Sequence, residues 1–152
     1  VWLMQRPGAL AASPDGRWLA YVSNESGPNE VYVQPYPGPG ERHLISINGG
    51  WQPAWSRSGR ELFYVQGGAG GSVTTLMSVK IVTAPAFQAG TPEALFESAD
   101  LRTPWGRSYD VASDGRRFLL TLNKEAPTNL VPAQMIFVQQ WFEELKRLVP
   151  RR

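Results

Sequence analysis

The sequence contains no cysteine and only one histidine among its 152 residues. Without cysteine there are no disulfides, no thiolate metal ligands and no cysteine nucleophile. Any histidine-dependent catalytic triad or metal site would have to use His43, and a lone histidine supplies no second imidazole ligand. The sequence also lacks a Gly-x-Ser-x-Gly nucleophile elbow, which argues against hydrolase chemistry. These absences predict a protein that is not an enzyme and needs no metal or cofactor. We expect His43 to be an exposed residue of an outer strand.

Long apolar runs and clustered charge are also lacking. No stretch approaches the roughly 20 residues of a membrane-spanning helix, so we expect no membrane span in this chain. The 15 basic and 13 acidic side chains are scattered along the sequence. Because no basic stripe results, we expect no nucleic-acid partner. The glycine-rich stretch 67–72 lacks the Lys-Ser/Thr ending of a phosphate-binding loop, and we interpret it as a hairpin connection.

What the sequence does contain is one motif in three copies. The stretch 13–21 (Ser-Pro-Asp-Gly-Arg-Trp-Leu-Ala-Tyr) returns in altered form at 56–64 and again at 112–120. The first two copies are separated by roughly 40–45 residues, the length of one four-stranded propeller blade. The third copy follows after a longer interval, which contains Gly- and Pro-rich connections of the kind that tolerates insertions.

Each copy has the pattern of a tight turn followed by a buried strand. In the turn 13–16, Ser accepts a backbone hydrogen bond, Pro presets φ, and Gly takes positive φ as the chain re-enters a strand. Asp15 and Asp114 are therefore interpreted as turn residues. Ser58 replaces the turn aspartate in the second copy and Pro14 has no counterpart in the others, so we expect those turns to be looser. The unbroken apolar run after each glycine is typical of a strand covered on both faces.

These patterns predict an all-β fold: a β-propeller segment of about three four-stranded antiparallel blades with a short C-terminal α-helix. The 15 glycines and 13 prolines suit many short strands joined by tight turns. The predicted units are blade one at about 9–48, blade two at about 51–98, blade three at about 105–140 and the helix at about 141–149. The helix is indicated by apolar residues at helical spacing from Trp141 onward, and Pro150 ends it.

Three blades do not close a ring, since propellers have about four to eight. An open arc would leave more apolar surface bare than the few hundred Å² usual for a soluble monomer. We therefore expect the remaining blades to come from the parent chain or from a second copy. The chain begins with Val1 rather than Met, which we interpret as a sign that it is a piece of a longer protein or a processed product.

The first copy and its continuation resemble a known family. Residues 13–23, then Glu30-Val-Tyr-Val33 and Trp55-Ser56 opening the next unit, resemble the TolB-type WD40-like β-propeller repeat. The ending 141–150 is similar to the C-terminus of bacterial multi-domain proteins that carry this propeller, often behind a serine/threonine kinase or a DNA-binding regulatory domain. The resemblance covers nearly the whole chain. It implies a bacterial binding or sensing module in a periplasmic or extracytoplasmic location, and it carries over no catalytic residue.

In a four-stranded blade, the loops after the second and fourth strands emerge on one ring face, where propellers commonly bind. Here these loops lie near 23–30, 48–53, 66–72, 99–108 and 123–133. We predict a site for a protein partner or small ligand on this face, formed by Glu25, Asn29, Trp51, Gln52, Arg102, Trp105 and Arg107. Trp105 is the expected exposed anchor because Trp and Arg dominate interface energetics. Blade packing is the competing explanation for Trp51.

Two functions fit this sequence. The first is a non-catalytic propeller module that binds proteins or ligands, which would suit the sensory end of a bacterial signalling protein. The second is the propeller portion of a serine hydrolase of the prolyl-oligopeptidase type, whose catalytic domain is absent here. In such peptidases the catalytic domain usually follows the propeller, whereas this chain ends in a predicted helix, Pro150 and two arginines. That order favours the first function.

Overall fold

The computed structural model describes residues 10–67, 74–101 and 107–121, and they form three successive antiparallel sheets. Sheet one contains β1 (Leu10–Ala12), β2 (Trp18–Ser23), β3 (Glu30–Pro35) and β4 (His43–Leu44). Sheet two contains β5 (Trp51–Trp55), β6 (Glu61–Gln66), β7 (Thr74–Val82), β8 (Gln88–Ala89) and β9 (Glu93–Ser98). A 3₁₀ turn at Ala99–Leu101 leads to sheet three, which contains β10 (Tyr109–Val111) and β11 (Phe118–Leu120).

The strands follow one another as a meander. Sheet one has the order β1-β2-β3-β4, and sheet two has the order β5-β6-β7 with both β8 and β9 paired to β7. Strands β8 and β9 together therefore form the outer strand of sheet two. The predicted all-β fold of successive antiparallel blades is confirmed. The part of the predicted blade three after residue 121 and the predicted helix at 141–149 lie outside the described residues.

The three repeated turns are equivalent. Gly16, Gly59 and Gly115 have φ of 69°, 69° and 67°, and each N–H donates to the carbonyl three residues earlier at 2.9, 3.0 and 2.9 Å. The first residue of each turn also donates its N–H to the carbonyl five residues later, at 2.8 to 2.9 Å. Positive φ at the fourth turn position favours glycine, as the sequence indicated. The expectation that the second and third turns are looser is wrong, because each of these backbone bonds agrees to within 0.1 Å among the three turns.

Strand β6 is covered on both faces, as its apolar run predicted. Leu62 and Tyr64 pack into a cluster of buried residues with sheet one, whereas Phe63 and Val65 pack into a second cluster that reaches sheet three. Successive side chains of a strand point to opposite faces, so one strand supplies both cores. All four residues are at most 2% exposed. Sheet two is therefore the middle layer of a three-layer stack.

His43 differs from its expected exposed position. It lies in the outermost strand of sheet one, but it is half-buried. Its ring stacks on Phe87 with centroids 4.3 Å apart, and Phe87 in turn lies 4.6 Å from Trp18. The hairpin between β7 and β8 carries Phe87 across to sheet one. The sequence did not indicate this contact because it joins two blades through a loop.

Candidate functional site

The predicted binding face gathers the connections that follow β2, β4, β6 and β9 at one end of the sheets. We call this end the loop face and define it by residues 24–29, 45–52, 66–67, 99–101 and 107–108. In an antiparallel meander, alternate connections emerge at the same end. Hydrogen bonds join these segments to one another.

A buried glutamate fixes the connection between β4 and β5. Glu30 is 5% exposed, and its Oε1 accepts the N–H of Gly49 at 2.9 Å. Its Oε2 accepts the Ser46 hydroxyl, and the Ser46 Oγ accepts the N–H of Val31 at 2.7 Å. A buried carboxylate is costly unless it is hydrogen-bonded, and here both oxygens have donors. The loop is therefore held against the start of β3.

A glycine is required at position 50 because neighbouring atoms leave no room for a Cβ. A Cβ at Gly50 would lie 2.4 Å from the Ser46 Oγ and 3.0 Å from a methyl of Val31. The Gly50 N–H donates to the carbonyl of Asn29 at 2.8 Å. The connections after β2 and β4 are thus joined at their backbones, and a side chain at this position would separate them.

This fixed loop displays two apolar side chains. Ile47 is 62% exposed, and Trp51 is half-buried at the start of β5, where it packs against the core shared by sheets one and two. The Gln66 side chain donates to the carbonyl of Ile47 at 2.7 Å, which ties the loop to the end of β6. Ile47 was missed in the sequence because an isolated isoleucine looks like part of a strand. With Ile47, the loop face exposes more apolar surface than predicted.

Gln52 lies in a β-bulge. Trp51 pairs with Val65 and Ala54 pairs with Phe63, so β5 has one more residue than β6 between these pairs. Gln52 has φ of 55°, which is uncommon for a residue other than glycine. Bulges re-aim side chains, and this one turns Gln52 towards sheet three.

The re-aimed side chain joins the second and third sheets. The Gln52 Oε1 accepts from both the N–H and the hydroxyl of Ser108 at 2.9 Å, and the Tyr109 hydroxyl donates to the Gln52 carbonyl at 2.7 Å. The Ser108 hydroxyl also lies 2.9 Å from the carbonyl of Leu101. Gln52 is 7% and Ser108 is 2% exposed. We call these four residues the polar junction.

Two tyrosines near the loop face have raised pKa values. Burial, followed by the negative charge of Glu30, raises the pKa of Tyr64 to about 12. Burial also raises the pKa of Tyr109. Both hydroxyls therefore stay protonated near neutral pH, so Tyr109 acts as a hydrogen-bond donor rather than as a base.

The structure brings only some of the predicted site residues together. Asn29, Trp51 and Gln52 lie in segments that are hydrogen-bonded to each other or adjacent in sequence, and Arg107 precedes the Ser108 that bonds Gln52. Arg107 is exposed and pairs with Asp110 at 3.4 Å. Glu25 instead pairs with Arg42, whose guanidinium carbon lies 4.7 Å from the centre of the Tyr32 ring. Arg102 and Trp105 lie outside the described residues.

Within the described ranges, no three His, Asp or Glu side chains lie together as a possible metal-binding group. In the same ranges, no helix has the length and apolar character needed to cross a membrane. What the described loop face offers chemically is the exposed Ile47, the half-buried Trp51 and the exposed cation of Arg107. Such a surface can bind a partner by burial and hydrogen bonding.

No family model matches the chain, and no curated protein does. Among solved structures, it is similar to TolB from Acinetobacter baumannii, with 17% identity and a TM-score of 0.54, over 73% of this chain and 26% of that one. It also matches a putative TolB from Agrobacterium tumefaciens, with 23% identity and a TM-score of 0.49, over 60% of this chain and 34% of that one. The chain thus spans about a quarter to a third of the length of these two proteins. The first match, with the three stacked antiparallel sheets, shows that the chain has a TolB-type β-propeller fold.

Proposed function

We propose that this chain is a non-catalytic β-propeller module that binds a protein partner or a small ligand at the loop face. The observation that carries the proposal is the fixed connection between β4 and β5, which exposes Ile47 and leads into Trp51 at the start of β5. A solvent-exposed isoleucine on a rigid loop loses little entropy when it is covered. Tryptophan and arginine are the side chains that contribute most at binding interfaces.

The proposed rim contains the residues predicted from sequence, with Ile47 added: Glu25, Asn29, Ile47, Trp51, Gln52, Arg102, Trp105 and Arg107. Their proposed roles differ. Ile47 and Trp51 supply apolar contact, and Arg107 supplies an exposed cation. Gln52 positions the rim from below, since its side chain is buried in the polar junction. Arg102 and Trp105 are included in the proposed rim because of the sequence prediction alone.

The finer parts of the proposal concern the whole protein. We propose that the parent protein is bacterial, that this module is extracytoplasmic, and that it forms the sensory end of a signalling protein. Further blades, from the parent chain or from a second copy, would cover the outer faces of sheets one and three, where Leu44 is 52% and Leu119 is 75% exposed. The prolyl-oligopeptidase alternative depends on sequence outside this chain and stays a prediction.

Site-specific photo-crosslinking tests the loop face. Ile47 is replaced by benzoylphenylalanine, and the chain is irradiated in a cell-envelope extract of the source organism. We expect a discrete cross-linked product from this position and none from the same group placed at Ser113, which is exposed in the third repeated turn at the opposite end of the sheets. Light scattering on the purified chain shows whether a product is a second copy of the chain.

Two arginine variants supply the matched control. Arg107→Glu reverses a charge on the loop face, and Arg116→Glu reverses one in the third repeated turn, at the opposite end. Losing one interfacial charge contact is expected to reduce cross-linking by about tenfold or more in Arg107→Glu, with little change in Arg116→Glu. Equal cross-linking from positions 47 and 113, or equal loss in both arginine variants, would contradict a specific loop-face site.

A further inference from the structure

A concave surface lies at the end of the sheets opposite the loop face. It is a cleft of about 600 Å³ between the first repeated turn, the second repeated turn and the hairpin that joins β7 to β8. This volume is within the roughly 300–1,000 Å³ of ordinary ligand sites. Its apolar side is formed by Pro14, Trp18, Ile81 and Val82, and its charged groups are Asp15 and Arg60. The function proposed above does not use this cleft.

Trp18, the aromatic side chain of the cleft, is held in place by neighbouring rings. Trp18 is half-buried, and its ring contacts Phe87 with centroids 4.6 Å apart, while Phe87 stacks on His43. A side chain fixed in this way loses little conformational freedom when a ligand covers it. The corresponding positions of the second and third repeats are Glu61 and Arg117. Of the three repeats, the first alone has an aromatic side chain here.

Arg60 is the cation of the cleft. Its backbone is fixed, because its carbonyl accepts the N–H of Ile81 at 2.8 Å and its N–H donates to the Ser58 Oγ at 3.3 Å. Its side chain is exposed. The ion pairs among the described residues use other cations, namely those of Arg42, Lys80, Arg107 and Arg117. The guanidinium of Arg60 is therefore available to a bound carboxylate, which it can hold with two parallel hydrogen bonds.

Asp15 supplies the opposite charge on the first turn. Its Oδ1 accepts the Ser13 hydroxyl at 2.6 Å and the Arg17 N–H at 3.1 Å. These two hydrogen bonds, the first contributing more, lower the pKa of Asp15 below its ordinary value. An ionised carboxylate accepts hydrogen bonds but donates none. The cleft thus offers an acceptor on one turn and a charged donor on the next.

We propose that this cleft binds a peptide in which a carboxylate lies beside an apolar side chain. The carboxylate pairs with Arg60, the apolar side chain packs against Trp18 and Val82, and Asp15 accepts a backbone N–H of the peptide. A simple anion would use only the arginine, and a purely apolar ligand would leave it unpaired. The carboxylate is either a peptide C-terminus or an acidic side chain, since both have the same chemistry.

Nuclear magnetic resonance titration of the ¹⁵N-labelled chain tests this site with three acetylated tripeptides. The first is Gly-Gly-Phe with a free carboxyl terminus, the second is Gly-Glu-Phe amide, and the third is the neutral Gly-Gly-Phe amide. The amides of Gly16 and Gly59 report on the cleft, Gly115 reports on the third turn, and Gly49 reports on the loop face. We expect saturable shifts at Gly16 and Gly59 with at least one acidic peptide, and at least about tenfold weaker binding of the neutral one.

The matched variants are Arg60→Glu and Arg57→Glu, which reverse charges in the same turn inside and outside the cleft. We expect Arg60→Glu to weaken binding of the acidic peptide by at least about tenfold, Arg57→Glu to change it by less than about twofold, and Arg60→Lys to retain part of it. The first two peptides distinguish a terminal from a side-chain carboxylate. Equal binding of the neutral peptide, equal loss in Arg57→Glu, or shifts at Gly115 or Gly49 as large as those at Gly59 would overturn the proposal. Those results would leave the loop-face function untouched.

Discussion

The two junctions between sheets are built in different ways. Sheets one and two meet through a cluster of ten buried side chains that is almost wholly aliphatic, with Tyr64 as its one aromatic member. Sheets two and three meet through a smaller cluster of six buried side chains, to which the polar junction around Gln52 is added. Hydrogen bonds also cross the first junction, where the Trp55 indole N–H donates to the carbonyl of Ala11 at 3.1 Å. The two junctions therefore differ in proportion: aliphatic burial dominates the first, and buried hydrogen bonds around Gln52 form a larger part of the second.

The difference has an energetic meaning. Aliphatic burial is non-directional and roughly proportional to the area removed from water, so most contacts at the first junction fix the distance between the sheets more than their register. Buried hydrogen bonds add little net stability, but an unpaired partner is costly. The second junction, with its larger share of directed contacts, is therefore expected to tolerate less displacement of one sheet against the other. In the described residues, every buried side-chain nitrogen and oxygen has a partner.

The largest expected effect comes from a cavity at the first junction. Leu62 is fully buried, so Leu62→Ala should lower the free energy of unfolding by about 2–5 kcal/mol. Urea unfolding followed by circular dichroism measures it. Leu119→Ala is the matched control, because Leu119 is 75% exposed, and it should change the free energy by less than about 0.5 kcal/mol. Similar losses in the two variants would mean that the aliphatic cluster does not hold sheets one and two together.

A smaller effect is expected at the second junction. Gln52→Leu keeps the approximate side-chain size but removes the acceptor of the Ser108 N–H, and an unsatisfied buried donor costs about 1–3 kcal/mol. The same unfolding measurement applies, with Gln88→Leu as the control because Gln88 is exposed in β8. Hydrogen exchange gives an independent readout.

The Ser108 amide should exchange faster in Gln52→Leu, while amides of sheet one stay protected. If exchange rises equally in all three sheets, the polar junction has no local role and the contrast between the two junctions disappears. If the Gln52→Leu variant is as stable as the unsubstituted chain, packing can replace the hydrogen bonds at the second junction.

The sequence predicted the parts of the fold that depend on neighbouring residues. The turn residues predicted the three glycine turns, and the apolar run of β6 predicted a strand with two covered faces. The expectation of looser turns was wrong for a local reason, because in the second turn Ser58 makes the same kind of hydrogen bonds as Asp15 makes in the first. The Ser58 Oγ accepts the Arg60 N–H at 3.3 Å and lies 3.1 Å from the Ser56 Oγ, and the bonds that close the turn are between backbone groups.

The candidate site was less predictable because its contacts join distant residues. Gln52 and Ser108 are 56 positions apart, and Glu30 and Gly49 are 19 apart. No local pattern indicates that Gln52 lies in a bulge or that Glu30 is buried. The adjacent glycines 49 and 50 were the one visible signal, since such pairs often mark a close backbone approach. Their partner, Ser46, looks like an ordinary strand residue.

The smallest expected effect lies at the edge of the first junction, where His43 of sheet one stacks on Phe87 of sheet two. From the sequence alone His43→Ala should cost little, and the stack raises that expectation only to about 0.5–1.5 kcal/mol. A double-mutant cycle with Phe87→Ala isolates the pair, since the two rings are in direct contact. We expect a coupling energy below the cost of Leu62→Ala. A His43→Ala variant that fails to fold, or a coupling as large as the Leu62→Ala loss, would show that the first junction depends on its aromatic edge rather than on its aliphatic centre.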